Sequence, residues 1–227
     1  PSYLNIANLR DYLDTPAPFL ALTATATPRV IDDIQEKLRF SVKNVLWKSF
    51  ERKNLNYLVR NIENKKGYLL KTLKKVGGSG IIYTRSRKRT WELTEMLRKQ
   101  GLSVDHYHAG LDSEIRNQKQ DEWQRGNIRI IVATNAFGMG IDKPDVRFVI
   151  HYELPDSLEA YYQEAGRAGR DGLNAYAVLL YNESDRVKAE QRKKTNFPEI
   201  KEIKAIYEAL GNFLHVPIEG GKYQAFD

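Results

Sequence analysis

Between residues 80 and 181, short apolar runs alternate with longer polar or amphipathic stretches, and this limits the fold more than any other feature of the chain. "GIIYT" (80–84), "SVDHY" (103–107), "IRIIVAT" (128–134), "RFVIHY" (147–152) and "AYAVLLY" (175–181) have strand length and are rich in β-branched and aromatic residues. Between them, "KRTWELTEMLRKQG" reads as a helix stopped at Gly101. A polar helix is expected from about Ser113 to Arg125, and another from Ser157. Strands and helices taking turns imply an α/β fold: a parallel sheet with helices on both faces. Ligands of such sheets sit outside the carboxyl ends of the strands.

The flanks are less regular. "APFLALTAT" (17–25) and "NVLWKSF" (44–50) read as strands, with a helix between them capped by Thr27 and opened by Pro28. "ERKNLNYLVRNIENKKG" (51–67) is polar and irregular and reads as a linker. A helix is expected over 68–76, closed by Gly77 and Gly78. After Tyr181 the chain becomes charged and helical. Ile200, Ile203, Tyr207 and Leu210 then fall on one helical face, with Gly211 as a stop.

The 36 Lys and Arg against 29 Asp and Glu give a formal net charge of +7. That favours an anionic partner such as nucleic acid or nucleotide, although a plain basic surface fits the charge as well. There is no cysteine, so disulfides and thiolate zinc sites are excluded, and the four histidines lack ligand spacing; no metal site is assigned. No apolar run has transmembrane length, and the first residues carry no signal-peptide pattern. The chain opens on Pro-Ser-Tyr without Met, and a piece of a longer protein is expected.

Three strand ends carry polar groups. Thr84, Arg85 and Ser86 follow the first strand of the alternation, His108 the second and Thr134 the third. Strand-to-helix junctions offer free N–H groups and a helix dipole, both suited to phosphate, yet ordinary polar loops look the same. Beyond Thr134, Gly138 and Gly140 allow close backbone approach, and Asp142 places a carboxylate beside that turn. In "YYQEAGRAGRDG" (161–172), continuing the helix from Ser157 would put Gln163, Arg167 and Arg170 on one stripe. Tyr162, Gly166 and Gly169 would form a bare stripe beside it, with Leu158, Tyr161 and Ala165 facing the core. Forked guanidiniums suit phosphate oxygens, but the same arginines could pair with Asp171 or Glu164. No phosphate cradle accompanies them: "GGKY" (220–223) has Val216 where a P-loop needs glycine, and "DEWQ" (121–124) is no Asp-Glu-x-His box.

"LTATAT", "IIYTRSR", "YHAGL", "IIVATNAFGMGIDKPDVRFVIHY" and "YYQEAGRAGRDG", in this order, resemble the later motifs of RecQ-type DNA helicases of superfamily 2, over about residues 1–185. The resemblance implies a RecA-like second helicase domain over 49–185. It also implies the end of a first RecA-like domain over 1–48 and, over 186–227, a helical connector toward a zinc-free winged-helix region. It implies that ATP with Mg²⁺ is bound in a cleft whose P-loop belongs to the first domain. Arg170 is then the arginine finger, Arg167 a second phosphate-side arginine, and Gln163 an organiser of the cleft. Gly140 would lie near the nucleotide, and Asp142 would lie near its sugar or brace the arginines. Thr84, Arg85, Ser86, His108 and Thr134 would contact the DNA backbone, and Thr23 and Thr25 would couple hydrolysis to DNA binding. Many relatives carry a four-cysteine zinc module that this sequence cannot build. The expected activity is 3′-to-5′ DNA unwinding by the longer protein, in replication, recombination or repair. The piece alone is expected to be inactive, monomeric, cytoplasmic (nucleoid-associated in a bacterium) and without a membrane partner. A non-turnover nucleotide- or nucleic-acid-binding module and a DEAD-box-like RNA helicase domain are the alternatives. Gln163 and Glu164 before the arginines, and "FGMGID", depart from the DEAD-box pattern.

Overall fold

The computed structural model describes residues 2–13, 18–23, 26–49, 51–138 and 141–213. It divides into two compact units, 1–181 and 182–227. The boundary expected after residue 185 falls inside a helix.

In the first unit, a 3₁₀ helix (Ser2–Asn8) leads into α1 (Leu9–Tyr12) and α2 (Pro28–Lys37). The Thr27 hydroxyl caps α2 by accepting the Val30 N–H, and Pro28 opens it. The expected strands around it do not form: residues 18–23 and 44–49 have no ladder partner among the described residues, and residues 17, 24, 25 and 50 lie outside them. Leu20, Leu22, Leu46 and Trp47 are exposed.

The rest of the unit alternates as β1 (Leu55–Asn61), α3 (Lys65–Lys75), β2 (Ser79–Tyr83), α4 (Arg87–Arg98), β3 (Val104–Tyr107), α5 (Ser113–Gln124), β4 (Ile130–Ala133), β5 (Val146–His151), α6 (Leu158–Ala165) and β6 (Ala175–Tyr181). The six strands form one sheet in the order β1-β6-β5-β2-β4-β3, every pair parallel. β1 corrects the reading of residues 51–67 as a linker, since it pairs with β6 from Leu55↔Ala175 to Asn61↔Tyr181. Only Leu55 of its residues is buried, so this edge strand has no apolar run to betray it.

Side chains leave alternate faces of a strand. Ile81, Ile131 and Val149 pack on one face with Trp123 of α5, Ala165 of α6 and Phe137. Ile82, Ile130, Val132 and Ile150 pack on the other with Leu69 and Leu73 of α3 and Leu93 and Leu97 of α4. The sheet is thus covered on both sides, as the alternation requires.

The second unit contains α7 (Glu183–Asn196) and α8 (Ile200–Phe213). Asn182 and Asp185 form a reciprocal capping box at the start of α7. α8 runs past the expected stop at Gly211, and Ile200, Ile203, Tyr207 and Leu210 are exposed on it.

Candidate nucleotide and nucleic-acid sites

α6 begins at Ser157, whose hydroxyl accepts the Ala160 N–H, and ends at Gly166, whose N–H returns to Tyr162 O at 2.8 Å. The helix therefore does not carry Arg167 and Arg170 as a stripe with Gln163. Both arginines sit on the turn that follows, while Gln163 remains on the exposed side of α6. Tyr161 and Ala165 are buried as expected, but Leu158 is exposed. Gly169 belongs to no bare helical face. It turns at φ +63°, and a Cβ there would lie 2.9 Å from both Ala175 Cβ and Leu173 O.

The turn is fastened from several sides. Gly169 N–H donates to Val146 O at 2.8 Å and Asp171 N–H to Pro144 O at 3.2 Å. Arg52 donates to the carbonyls of Gly166, Ala168 and Gly169 at 3.3, 3.0 and 2.5 Å. Asn54 Nδ2 donates to Gly169 O and Leu173 O at 2.7 and 2.9 Å. Arg147 holds the Asp171 carboxylate at 2.6 Å and lowers its pKa, so Asp171 is not the partner of either motif arginine. Arg52 and Asn54 escaped the sequence reading because they lay in the supposed linker, and nothing in their immediate sequence marks them.

The two arginines differ in setting. Arg167 is half-buried and donates to Gly138 O at 2.5 Å, and a Cβ on Gly138 would collide with its guanidinium. Its Nε is buried with no acceptor among the described residues, a donor of the kind an anionic oxygen satisfies. It also lies against Tyr83, whose hydroxyl donates to Phe137 O at 2.8 Å. Burial raises the Tyr83 phenol far above its usual pKa, against the opposing charge of Arg167. Arg170 is more open. It donates to Ile141 O and to Asp142 Oδ1, both at 2.9 Å, and the Asp142 side chain is 84% exposed. The structure thus joins Arg170 to Asp142. Gly140 lies outside the described residues.

Glu164 is engaged elsewhere as well. Its Oε2 lies 2.8 Å from Nε2 of the fully buried His151, which stacks on Tyr83 at 5.4 Å. Burial, then neighbouring tyrosines, push the phenol of adjacent Tyr161 up to about 12.

At the carboxyl ends of the strands, the Thr84 N–H donates to Ala133 O at 2.8 Å and the Thr134 N–H to Tyr107 O at 3.2 Å. The ends of β2, β4 and β3 therefore lie side by side, with Thr84, Thr134 and His108 just beyond them. Thr84 is buried and its Oγ1 has no partner. The Ser86 hydroxyl caps α4 by accepting the Arg89 N–H at 3.1 Å. Arg85 is held by the segment before α6: its N–H donates to Glu153 Oε2 at 2.8 Å and its Nη2 pairs with Asp156 at 2.5 Å. Burial, then the charges of His106 and Arg87, lower the pKa of His108 below the usual histidine range. Thr23 borders an apolar groove with Phe19, Leu22 and Trp47; Thr25 lies outside the described residues.

Comparison with known proteins gives this arrangement a lineage. Residues 64–172 match the model of the helicase conserved C-terminal domain. The chain is 45% identical over 192 residues to a RecQ-like DNA helicase of Caenorhabditis elegans, covering 83% of this chain and 19% of that protein. It is 42% identical over 187 residues to the ATP-dependent DNA helicase RecQ of Bacillus subtilis, covering 82% and 32%. It thus spans between about a fifth and a third of the length of these relatives. Among solved structures, Dbp5 of S. cerevisiae, bound to RNA and ADP–BeF3, superposes with a TM-score of 0.67 at 20% identity over 88% of this chain and 56% of that one. The E. coli DEAD-box protein SrmB, bound to RraA, gives 0.53 at 28% identity over 60% and 81%. The fold is RecA-like, residues 64–172 are a helicase conserved C-terminal domain, and the chain belongs with the RecQ-type helicases that it matches over four-fifths of its length.

Proposed function

We propose that the chain supplies the second RecA-like domain of an ATP-dependent DNA helicase moving 3′ to 5′, with Arg170 as its arginine finger. The observation that carries this is the fastening of the turn 166–173. Five backbone and side-chain anchors fix a loop whose exposed product is one guanidinium, restrained by an exposed carboxylate. Electrostatic catalysis of phosphoryl transfer calls for a charge held in place before the reaction. When the cleft closes, Arg170 leaves Asp142 for the transferring phosphate. Arg167, with its buried Nε, serves a second phosphate oxygen. Gln163 and Asp142 border the nucleotide.

On this reading residues 1–48 complete a preceding RecA-like domain, in which Thr23 and Thr25 couple hydrolysis to DNA binding. Residues 186–227 are a helical connector toward a C-terminal winged-helix region, and no cysteine within 1–227 is available to bind zinc. DNA runs across the strand ends at Thr84, Arg85, Ser86, His108 and Thr134 and is read through its phosphates. Identities of 42–45% to DNA helicases, against 20–28% to proteins solved with RNA or as DEAD-box members, favour DNA over RNA. The chain alone has no P-loop and should not turn over ATP.

The test is the steady-state ATPase of the longer protein at saturating DNA and ATP. Arg170→Ala should lower turnover by about 10³–10⁵-fold and leave DNA binding in place. Arg170→Lys should recover little, because an ammonium lacks the planar fork. Near-equal rates for Arg170→Ala and the unaltered protein would falsify the finger assignment.

A further inference from the structure

We propose that Asp156 is an internal stand-in for a nucleic-acid phosphate: it occupies the Arg85 guanidinium when no strand is bound and is exchanged for a backbone phosphate when one arrives. The proposal rests on reading the end of β2 as a DNA-backbone surface. Arg85 follows the last rung of β2, where the parallel ladder stops and the backbone turns into α4. Asp156 Oδ1 lies 2.5 Å from its Nη2, and Leu154 O lies 3.4 Å from its Nη1. Glu153 Oε2 accepts its backbone N–H at 2.8 Å. One short segment between β5 and α6 thus meets Arg85 with the contacts a phosphate group would make: an anionic oxygen on the guanidinium and another on a main-chain N–H.

The site is built for exchange. The side chains of Arg85 and Asp156 are 26% and 57% exposed, so an incoming anion can reach the pair without unfolding anything. An ion pair this exposed is weak enough for a strand that brings several phosphates to displace it. Nearby Arg87 is also exposed and makes no side-chain hydrogen bond or ion pair among the described residues, so a strand laid here gains a cation that Asp156 does not satisfy. Asp156 therefore sets a threshold. It weakens casual binding of single anions and yields to a polyanion.

A double-mutant cycle on this chain tests the exchange, read as fluorescence anisotropy of a labelled oligothymidylate at ~50 mM salt. Asp156→Asn keeps the size and removes the charge, and should tighten binding by about two- to fivefold. Arg85→Ala should weaken binding, and the double variant should bind as Arg85→Ala does. If Asp156→Asn tightens binding equally in the Arg85→Ala background, Asp156 acts only as diffuse negative charge, and the exchange is wrong while the surface reading stands. Unchanged or weaker binding by Asp156→Asn alone overturns the exchange too. If Arg85→Ala binds like the unaltered chain, the DNA reading of the β2 end fails, and the exchange with it.

Discussion

Arg170 and Arg85 are anchored at opposite ends of the strands, and the chain holds them by different means. The turn bearing Arg170 is tied to the strand starts: Val146 opens β5, Asn54 precedes β1 and Leu173 precedes β6. Its ties run to main-chain carbonyls and N–H groups of the turn, from Val146 and Pro144 and from the Arg52 and Asn54 side chains. Arg85 stands past a strand end and is held by the carboxylate of an exposed aspartate. The first arrangement fixes the backbone that carries the charge and leaves only the guanidinium on a replaceable carboxylate, Asp142; the second has no such braced turn, and its guanidinium too rests on a replaceable carboxylate, Asp156. A catalytic group gains from preorganisation, whereas a group that grips and releases a moving strand gains from a replaceable partner.

The largest effect expected after loss of Arg170 itself comes from breaking its platform. Gly169→Val forces a β-branched residue to φ +63° and drives its Cβ into Ala175 and Leu173. It should cost roughly 2–5 kcal/mol in urea unfolding of the chain. Gly172→Ala is the companion, because φ there is +82° but nothing lies within 4 Å of the added methyl. It should cost about 1–2 kcal/mol. Equal costs at the two glycines would mean that the packing around Gly169 is not what fastens the turn. Arg52→Ala removes three carbonyl contacts without touching the motif. In the longer protein it should lower ATPase by about 10- to 100-fold through misplacement of Arg170. An unchanged rate would show the turn to be rigid without its latch. The smallest effect belongs to the exchangeable edge: Arg85→Ala should reduce the slope of log affinity against log salt by about one, for every base sequence alike. A loss confined to one base sequence would contradict a phosphate contact.

The central strands were legible because each is buried on both faces and reads as an unbroken apolar run. β1 was not, because an edge strand with a mostly exposed face can carry Asn, Tyr and Arg, and its pairing with β6 depends on residues far away in sequence. The error over 17–25 and 44–50 had the opposite cause. Apolar runs of strand length were present, but residues 18–23 and 44–49 find no ladder to join. Around the arginines the residue types pointed to phosphate chemistry, while the geometry was misread. The bare stripe expected over Tyr162, Gly166 and Gly169 does not form, because Gly166 ends the helix and Gly169 turns at positive φ. The braces Arg52 and Asn54 could not have been found by any local rule, since their partners lie more than a hundred residues away.

That separation also orders events in time. Asn54 bonds Leu173 across 119 residues, and among the described residues β1 pairs in the sheet with β6 alone. A ribosome releasing the chain therefore exposes β1 early and supplies its partner last, after every other strand has emerged. Such distant pairing is slow, and the waiting strand is open to association with other chains. The latch residues Arg52 and Asn54 lie just ahead of β1, so closing the latch on the arginine turn goes with the docking of β1 on β6.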